Sequence, residues 1–210
     1  AFYIATSGRP GPVVIDIPKD KTDPNHLYDY KREKKVSIRS YQPKALPHPG
    51  QIKKASKNIL SAERPVIYAG GGVILGNAHK ELIALNKILK VPVTNTLMGL
   101  GSYPANNKHF MGMLGMHGTY QANMAMHNAD LIIAIGARFD DRITNTPALF
   151  APKARIIHID VDPASISKII NADIPIVGQV KESLTALIKE IKRSKLKIDS
   201  DAIDSWNSQI

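Results

Sequence analysis

Four short stretches of this chain hold residue types that could do chemistry. Ala69-Gly70-Gly71-Gly72 follows an apolar run, and consecutive glycines let a phosphate or sugar approach the backbone closely. The spacing is not G-x-G-x-x-G, because the third glycine arrives too early, and a tight strand-to-helix turn explains it equally well. Gly136-Ala137-Arg138-Phe139-Asp140-Asp141-Arg142 places two arginines and two aspartates just past another apolar run. Arginine forks suit a diphosphate. An exposed ion-pair network is the plainer alternative, but charges this dense after a strand favour a site. In Asp160-Val161-Asp162-Pro163 the first carboxylate could accept hydrogen bonds from ribose hydroxyls. The second could cap a helix begun at Pro163. Gly112-Met113-Leu114-Gly115-Met116-His117-Gly118 offers glycines for unusual backbone angles and methionines for a flat apolar ring or for core packing. His117 has no second histidine or carboxylate at metal spacing, so no metal site is expected. There is no Ser-His-Asp or Cys-His arrangement, no G-x-S-x-G, no Walker loop and no poised carboxylate pair. The residues point to a nucleotide-like cofactor site and leave the reaction open.

Those stretches must be positioned by the elements around them. Arg64–Ala69, Val91–Asn95, Asp130–Ile135, Arg155–Ile159 and Ile174–Val177 are short apolar runs expected to be strands. Between them lie helical patterns. Ile52, Ala55, Ile59 and Leu60 share one face; Leu82, Leu85, Ile88 and Leu89 share another, in a helix that Asn77 could cap. A short helix is expected within His117–His127, another from Pro163, and a last one over Lys181–Arg193. Alternation of this kind predicts an α/β fold: a doubly wound, mainly parallel, six-stranded sheet with helices on both faces, Rossmann-like. In such sheets ligands bind at the carboxyl ends of the strands, where the candidate residues cluster. Residues 1–20 read as a short helical tail, the turn Ser7–Pro12, and the strand-like run Val13, Val14, Ile15, Ile17. They look like the last piece of a preceding domain. Residues 21–48 are polar, basic and proline-containing, as in a linker, 49–194 form the main domain, and 195–210 begin a further linker with no evident closing element. The chain therefore reads as part of a longer polypeptide.

The composition is that of a globular protein, 43% apolar and 22% charged over 210 residues. No apolar run approaches the roughly 20 residues needed to span a bilayer, so no membrane partner is expected. With no cysteine, disulfides and thiolate metal sites are excluded, and a cytoplasmic location is expected. The formal charge of +10 raises nucleic acid as a partner. The basic residues, however, concentrate in 31–44 and 181–197. The second stretch is the polar side of an amphipathic helix, and no aromatic residues interleave with the charges as a stacking platform requires. No nucleic-acid partner is expected.

GRPGPVVIDIPKD, RPVIYAGGGVI, PVTNTLMGLGSYP, MLGMHGTYQANMAMHNADLIIAIGARFDDRITN and IIHIDVDPASISK together resemble the acetolactate synthase (acetohydroxyacid synthase) large-subunit family. The resemblance covers residues 1 to about 190, and GMHGTY followed by GARFDDR and HIDVDP is specific among thiamine-diphosphate enzymes. It implies the central, FAD-binding domain of a three-domain chain whose outer domains hold thiamine diphosphate and Mg2+. The family condenses two 2-ketoacids with loss of carbon dioxide, towards branched-chain amino acids. A homo-oligomer, dimer or tetramer, with a small regulatory subunit is also implied.

By the same resemblance, Arg9 matches an arginine that reaches FAD. Gly71 and Gly72 match glycines against the cofactor, and Thr96, Leu97 and Met98 the segment along the isoalloxazine. Gly115, Met116, His117 and Gly118 match the loop beside the flavin. Gly136, Arg138, Asp140, Arg142 and Ile143 match the stretch at the diphosphate and ribityl chain. Asp160 and Val161 match the adenosine end, with Gly178 and Gln179 at a nearby turn. Relatives often carry Asp at the last position, so Gln179 keeps hydrogen bonding and loses charge. Met116, Asp141 and Arg142 resemble residues lining the route to substrate. The family's activating glutamate and its GDG-and-Asn diphosphate motif are absent from the sequence, so no catalytic residue is expected here and the chain alone is expected to be inactive. The rivals are a glyoxylate carboligase or pyruvate oxidase, a non-catalytic nucleotide-binding scaffold, and an NAD-dependent enzyme. GMHGTY and FDDR weigh against the first, the retained Gly, Arg and Asp positions against the second, and the lack of a placeable catalytic His against the third.

Overall fold

A computed structural model describes residues 1–25, 27–31 and 35–210. The chain divides into two compact units, 1–43 and 44–210. Part of the first basic stretch, residues 32–34, lies outside the described residues.

The first unit holds α1 (Phe2–Thr6) and a 3-10 turn at Lys19–Thr22. Tyr41 ties the start of the unit together: its hydroxyl donates to the Ser7 carbonyl at 2.7 Å, and its ring meets Tyr3 edge-on. The strand expected over Val13–Ile17 does not form, and Val14 is 92% exposed. A β-strand needs a ladder partner for its amides and carbonyls, and no strand among the described residues pairs with this run.

The second unit runs α2 (Pro49–Leu60), β1 (Pro65–Ala69), α3 (Gly71–Leu75), α4 (His79–Leu89), β2 (Val93–Asn95), β3 (Phe110–Met113), α5 (Tyr120–Asn128), β4 (Leu131–Ile135), α6 (Asp141–Thr144), β5 (Arg155–Asp160), β6 (Ile174–Val177), α7 (Val180–Arg193) and α8 (Ser200–Gln209). All six strands are parallel, in the order β3-β2-β1-β4-β5-β6. Alternate residues of β1, β4 and β5 feed two cores, and β2 and β6 contribute to the first. Ile67, Ile133, Ile135, Ile157, Ile159 and Ile176 pack against α2, α4 and α7. Val66, Tyr68, Ile132, Ala134 and Ile156 face the other way, with Ala125 and Met126 of α5 and Trp206 of α8. Burial on both faces is why the strands read as unbroken apolar runs. In α7, Val180, Leu184, Leu187 and Ile191 form the buried stripe, while Lys192 and Arg193 sit in the last turn, where cations suit the helix dipole.

Four elements differ from the expectation. β3 is a short, half-buried edge strand containing Gly112 at positive φ, and β2 slips register against it at Val93/Thr94. Glycine and irregular pairing leave little strand signal. Asn77 does not cap α4; it takes positive φ in the turn, and Ala78 is the N-cap with no side-chain bond. Pro163 starts only turns: the Asp162 carboxylate accepts from the Ala164 amide and the Ser165 hydroxyl, and no helix follows. The polar stretch 200–209 forms α8, capped by Asp199 and anchored by Ile203 and Trp206. Two buried residues in ten were too sparse to show an apolar stripe.

Candidate functional site at the carboxyl edge of the sheet

The chain turns back on itself between β1 and β4: β2 and β3 extend the sheet one way, β5 and β6 the other. That point opens a crevice above the carboxyl ends of the strands. Every candidate residue of the second unit lies at such an end or in the connection that follows it. Arg9 belongs to the first unit and is exposed.

At the crevice the backbones after β1 and β4 touch. The Gly72 amide donates to the Gly136 carbonyl at 3.0 Å, and a Cβ on Gly72 would lie 2.7 Å from the Gly136 Cα. Gly136 itself has φ +58. These two glycines are thus required by packing of protein on protein. Gly71 is different: it is half-buried, and its nearest neighbour would be the Met98 side chain.

The turn after β2 is built by Asn95, which sequence reading passed over. Its buried amide donates to the Gly99 carbonyl at 2.6 Å and to the Ser102 hydroxyl at 2.8 Å. Thr96 accepts from the Gly99 amide at 2.9 Å. A Cβ at Gly99 would lie 2.3 Å from the Ala69 carbonyl, so the turn presses on the end of β1. The result leaves Leu97 and Met98 68% and 75% exposed.

After β3, Asn123 of α5 brackets Gly115, accepting from its amide and donating to its carbonyl, each at 3.1 Å. Gly115 has φ +108, and a Cβ on Gly118 would meet the Met113 carbonyl at 2.2 Å. The loop joins the one after β4: the Met116 amide donates to the Arg142 carbonyl at 3.3 Å, and Ile143 lies beside Gly115. Met116 and His117 point into solvent.

After β4, exposure alternates. Ala137 and Phe139 are buried, while Arg138, Asp140, Asp141 and Arg142 are exposed. Arg138 and Asp140 pair at 3.2 Å, half exposed on both sides. Below them, His158 of β5 is buried, with Nε2 2.8 Å from the Ala137 carbonyl. A carbonyl only accepts, so that nitrogen carries the proton. Burial pushes the imidazole below its usual range, against the opposing pull of Asp160 and of the Ala137 bond. Burial, reinforced by Asp140, likewise raises the Tyr68 phenol. At the far end, Asp160 closes β5 and accepts from the Asp162 amide at 2.8 Å, and half-buried Val161 follows it. The buried Gly178 amide donates to the Asp160 carbonyl, and the amide of exposed Gln179 to the Ala45 carbonyl, each at 3.0 Å.

Structure therefore brings 71, 96–98, 115–118 and 136–143 into one neighbourhood, with Asp160, Val161, Gly178 and Gln179 further along the same edge. Five strand spacings make that edge roughly 24 Å long. Its chemistry changes in order, from exposed apolar side chains, through paired charges, to a carboxylate. Asn95, Asn123, Phe139 and His158 were missed as site builders; the visible hint was one phenylalanine inside an otherwise polar run. Among the described residues, no three histidine or acidic side chains converge to hold a metal.

The strand order, the switch point and the glycine-lined carboxyl edge define a doubly wound, Rossmann-like α/β domain. Residues 52–187 match the family described as the central domain of thiamine pyrophosphate enzymes, and the chain belongs to that family. Along all 210 residues it is 50% identical to an acetolactate synthase large subunit of Haemophilus influenzae and 48% identical to the isozyme 3 large subunit of Escherichia coli. It is 51% identical over 198 residues, 94% of the chain, to a probable acetolactate synthase large subunit of Methanocaldococcus jannaschii. The chain spans 36%, 37% and 34% of those three proteins. No helix among the described residues is long and apolar enough to cross a membrane.

Proposed function

We propose that this chain is the FAD-binding central part of an acetolactate synthase large subunit. The observation that carries the reading is the order of chemistry along the carboxyl edge. Leu97, Met98 and Met116 offer an exposed apolar surface for a flat ring. Arg138, Asp140 and Arg142 follow at the switch point, where a diphosphate would need cations. Asp160 ends β5, and its carboxylate would accept from ribose hydroxyls. Gly71 keeps the intervening backbone open to close approach, while Gly115 and Gly118 let the loop after β3 fold tightly on itself. An FAD molecule has those three parts in that sequence. The residues fit it.

The parent protein would condense two 2-ketoacids, pyruvate with pyruvate or with 2-ketobutyrate, releasing carbon dioxide. Thiamine diphosphate and Mg2+ would supply that chemistry through segments outside these 210 residues. This chain's own residues would bind and orient: the arginines neutralise the diphosphate, and the apolar rim excludes water from the ring. Met116, Asp141 and Arg142 would border the approach of substrate. The parent would be a cytoplasmic homo-oligomer with a small regulatory subunit, in keeping with the relatives' printed description as large subunits.

An absorbance spectrum after incubation with FAD and desalting tests the reading. A retained flavin band near one per chain is expected. Loss of all flavin, both from this chain and from the full-length parent treated identically, rules out FAD as its cofactor. The chain alone should form no acetolactate from pyruvate with every cofactor added.

A further inference from the structure

Phe139 is 1% exposed, yet it sits in a loop with four charged neighbours, Arg138, Asp140, Asp141 and Arg142, and at φ +56. A bulky side chain rarely takes that backbone conformation, so its surroundings must impose it. The surroundings are specific. Tyr68, Ala134 and His158 stand in register across β1, β4 and β5. Their side chains share one face of the sheet. The small Ala134 leaves a notch between the two larger groups. The Phe139 ring lies between them, its centroid 5.5 Å from Tyr68 and 5.3 Å from His158, and Phe150 meets it edge-on at 5.8 Å. Two residues earlier, His158 Nε2 holds the Ala137 carbonyl. The loop is thus pinned at Ala137 and at Phe139, and the residues just after each pin, Arg138 and Asp140, turn outward and pair.

We propose that Phe139 is a positioning residue: its ring, seated in the notch over Ala134, sets the shape in which 138–142 present their charges to an anionic ligand. The ligand side of this proposal rests on reading that loop as the diphosphate contact; the anchoring side does not. Because Phe139 touches only protein, it acts through its neighbours.

The test uses the 210-residue chain with Phe139→Leu and Phe139→Gly. Limited trypsin digestion reads cleavage after Arg138 and Arg142, with Arg155 in β5 as an internal reference for general opening. FAD affinity is read by flavin fluorescence. Expected is a graded, local effect. Cleavage at 138 and 142 rises about threefold for Leu and at least tenfold for Gly relative to Arg155, and FAD affinity falls in the same order. Glycine accepts positive φ without strain, so a role confined to backbone conformation reverses that order and overturns the proposal. Cleavage at Arg155 rising in step with the other two also overturns it, since the ring is then ordinary core. Should Phe139→Gly not fold, Phe139→Leu decides alone, and unchanged cleavage at 138 and 142 counts against the anchor. Selective cleavage in a chain whose wild type binds no FAD upholds the anchor and passes the FAD reading to the same flavin measurement on the full-length parent.

Discussion

The Gly72 amide donates to the Gly136 carbonyl at 3.0 Å, so the turns after β1 and β4 close on each other across the switch point. A methyl group at 136 would meet the Gly72 Cα at 2.6 Å, on a residue already at φ +58. Both backbones are held by strands and cannot withdraw cheaply. Gly136→Ala is expected to cost about 2–4 kcal/mol of stability in urea unfolding. A loss below about 1 kcal/mol would mean that the turns separate easily.

Gly71→Ala should behave differently. Its added Cβ meets the Cβ of an exposed methionine at 3.1 Å, and its φ is not in the left-handed region. Stability should change by less than about 1 kcal/mol. Flavin retention should nevertheless fall at least tenfold, because the methyl group occupies the ligand's side of the turn. Wild-type retention in this variant would remove Gly71 from the site.

His158 gives a pH dependence with a definite sign. Its folded pKa is lowered, so the unfolded chain takes up the proton first. The stability is whole above about pH 6.5, the unfolded value, and declines as pH falls below it by up to about 1.4 kcal/mol per unit for this one group. His158→Gln keeps a donor for the Ala137 carbonyl and removes the titration. The difference between wild type and variant should grow from pH 7 to pH 5 in the variant's favour. A constant difference assigns the acid sensitivity elsewhere.

Asn95 donates twice inside the turn after β2. Asn95→Ala removes both side-chain bonds, leaves the Gly99 carbonyl with the Ser102 amide as its one remaining donor and should cost about 1–3 kcal/mol. Asn95→Asp should cost more, because a carboxylate cannot donate and would face that carbonyl. Equal costs for the two would show that shape alone matters there.

Trp206 holds α8 to the sheet. It is 2% exposed, its indole N–H donates to the Pro65 carbonyl at 3.2 Å, and the Arg64 guanidinium lies 5.9 Å from the ring centroid. Trp206→Ala should cost about 3–5 kcal/mol, and Trp206→Phe roughly the hydrogen bond, about 1 kcal/mol. Calorimetry with an unchanged melting temperature for Trp206→Ala would show that α8 contributes nothing to the fold.

Five of the six strands and the main helices were legible in the residues, because burial on both faces makes β1, β4 and β5 largely apolar runs and one-sided burial gives α2, α4 and α7 clear stripes. The candidate stretches were equally visible, since glycines and charges crowd just beyond those runs. By itself the sequence determined the α/β alternation, the edge on which the candidate residues gather, and the family. Tertiary structure decided what periodicity does not carry. It withheld a strand from Val13–Ile17, where no described strand supplies a ladder, and paired the weak run Phe110–Met113 against β2. It showed that Gly72 and Gly136 are small for each other's sake while Gly71 is open. It also placed Phe139 between Tyr68 and His158, residues 71 and 19 positions away in the chain. Such placements depend on which strands become neighbours, and that is a property of the assembled sheet, not of any local stretch.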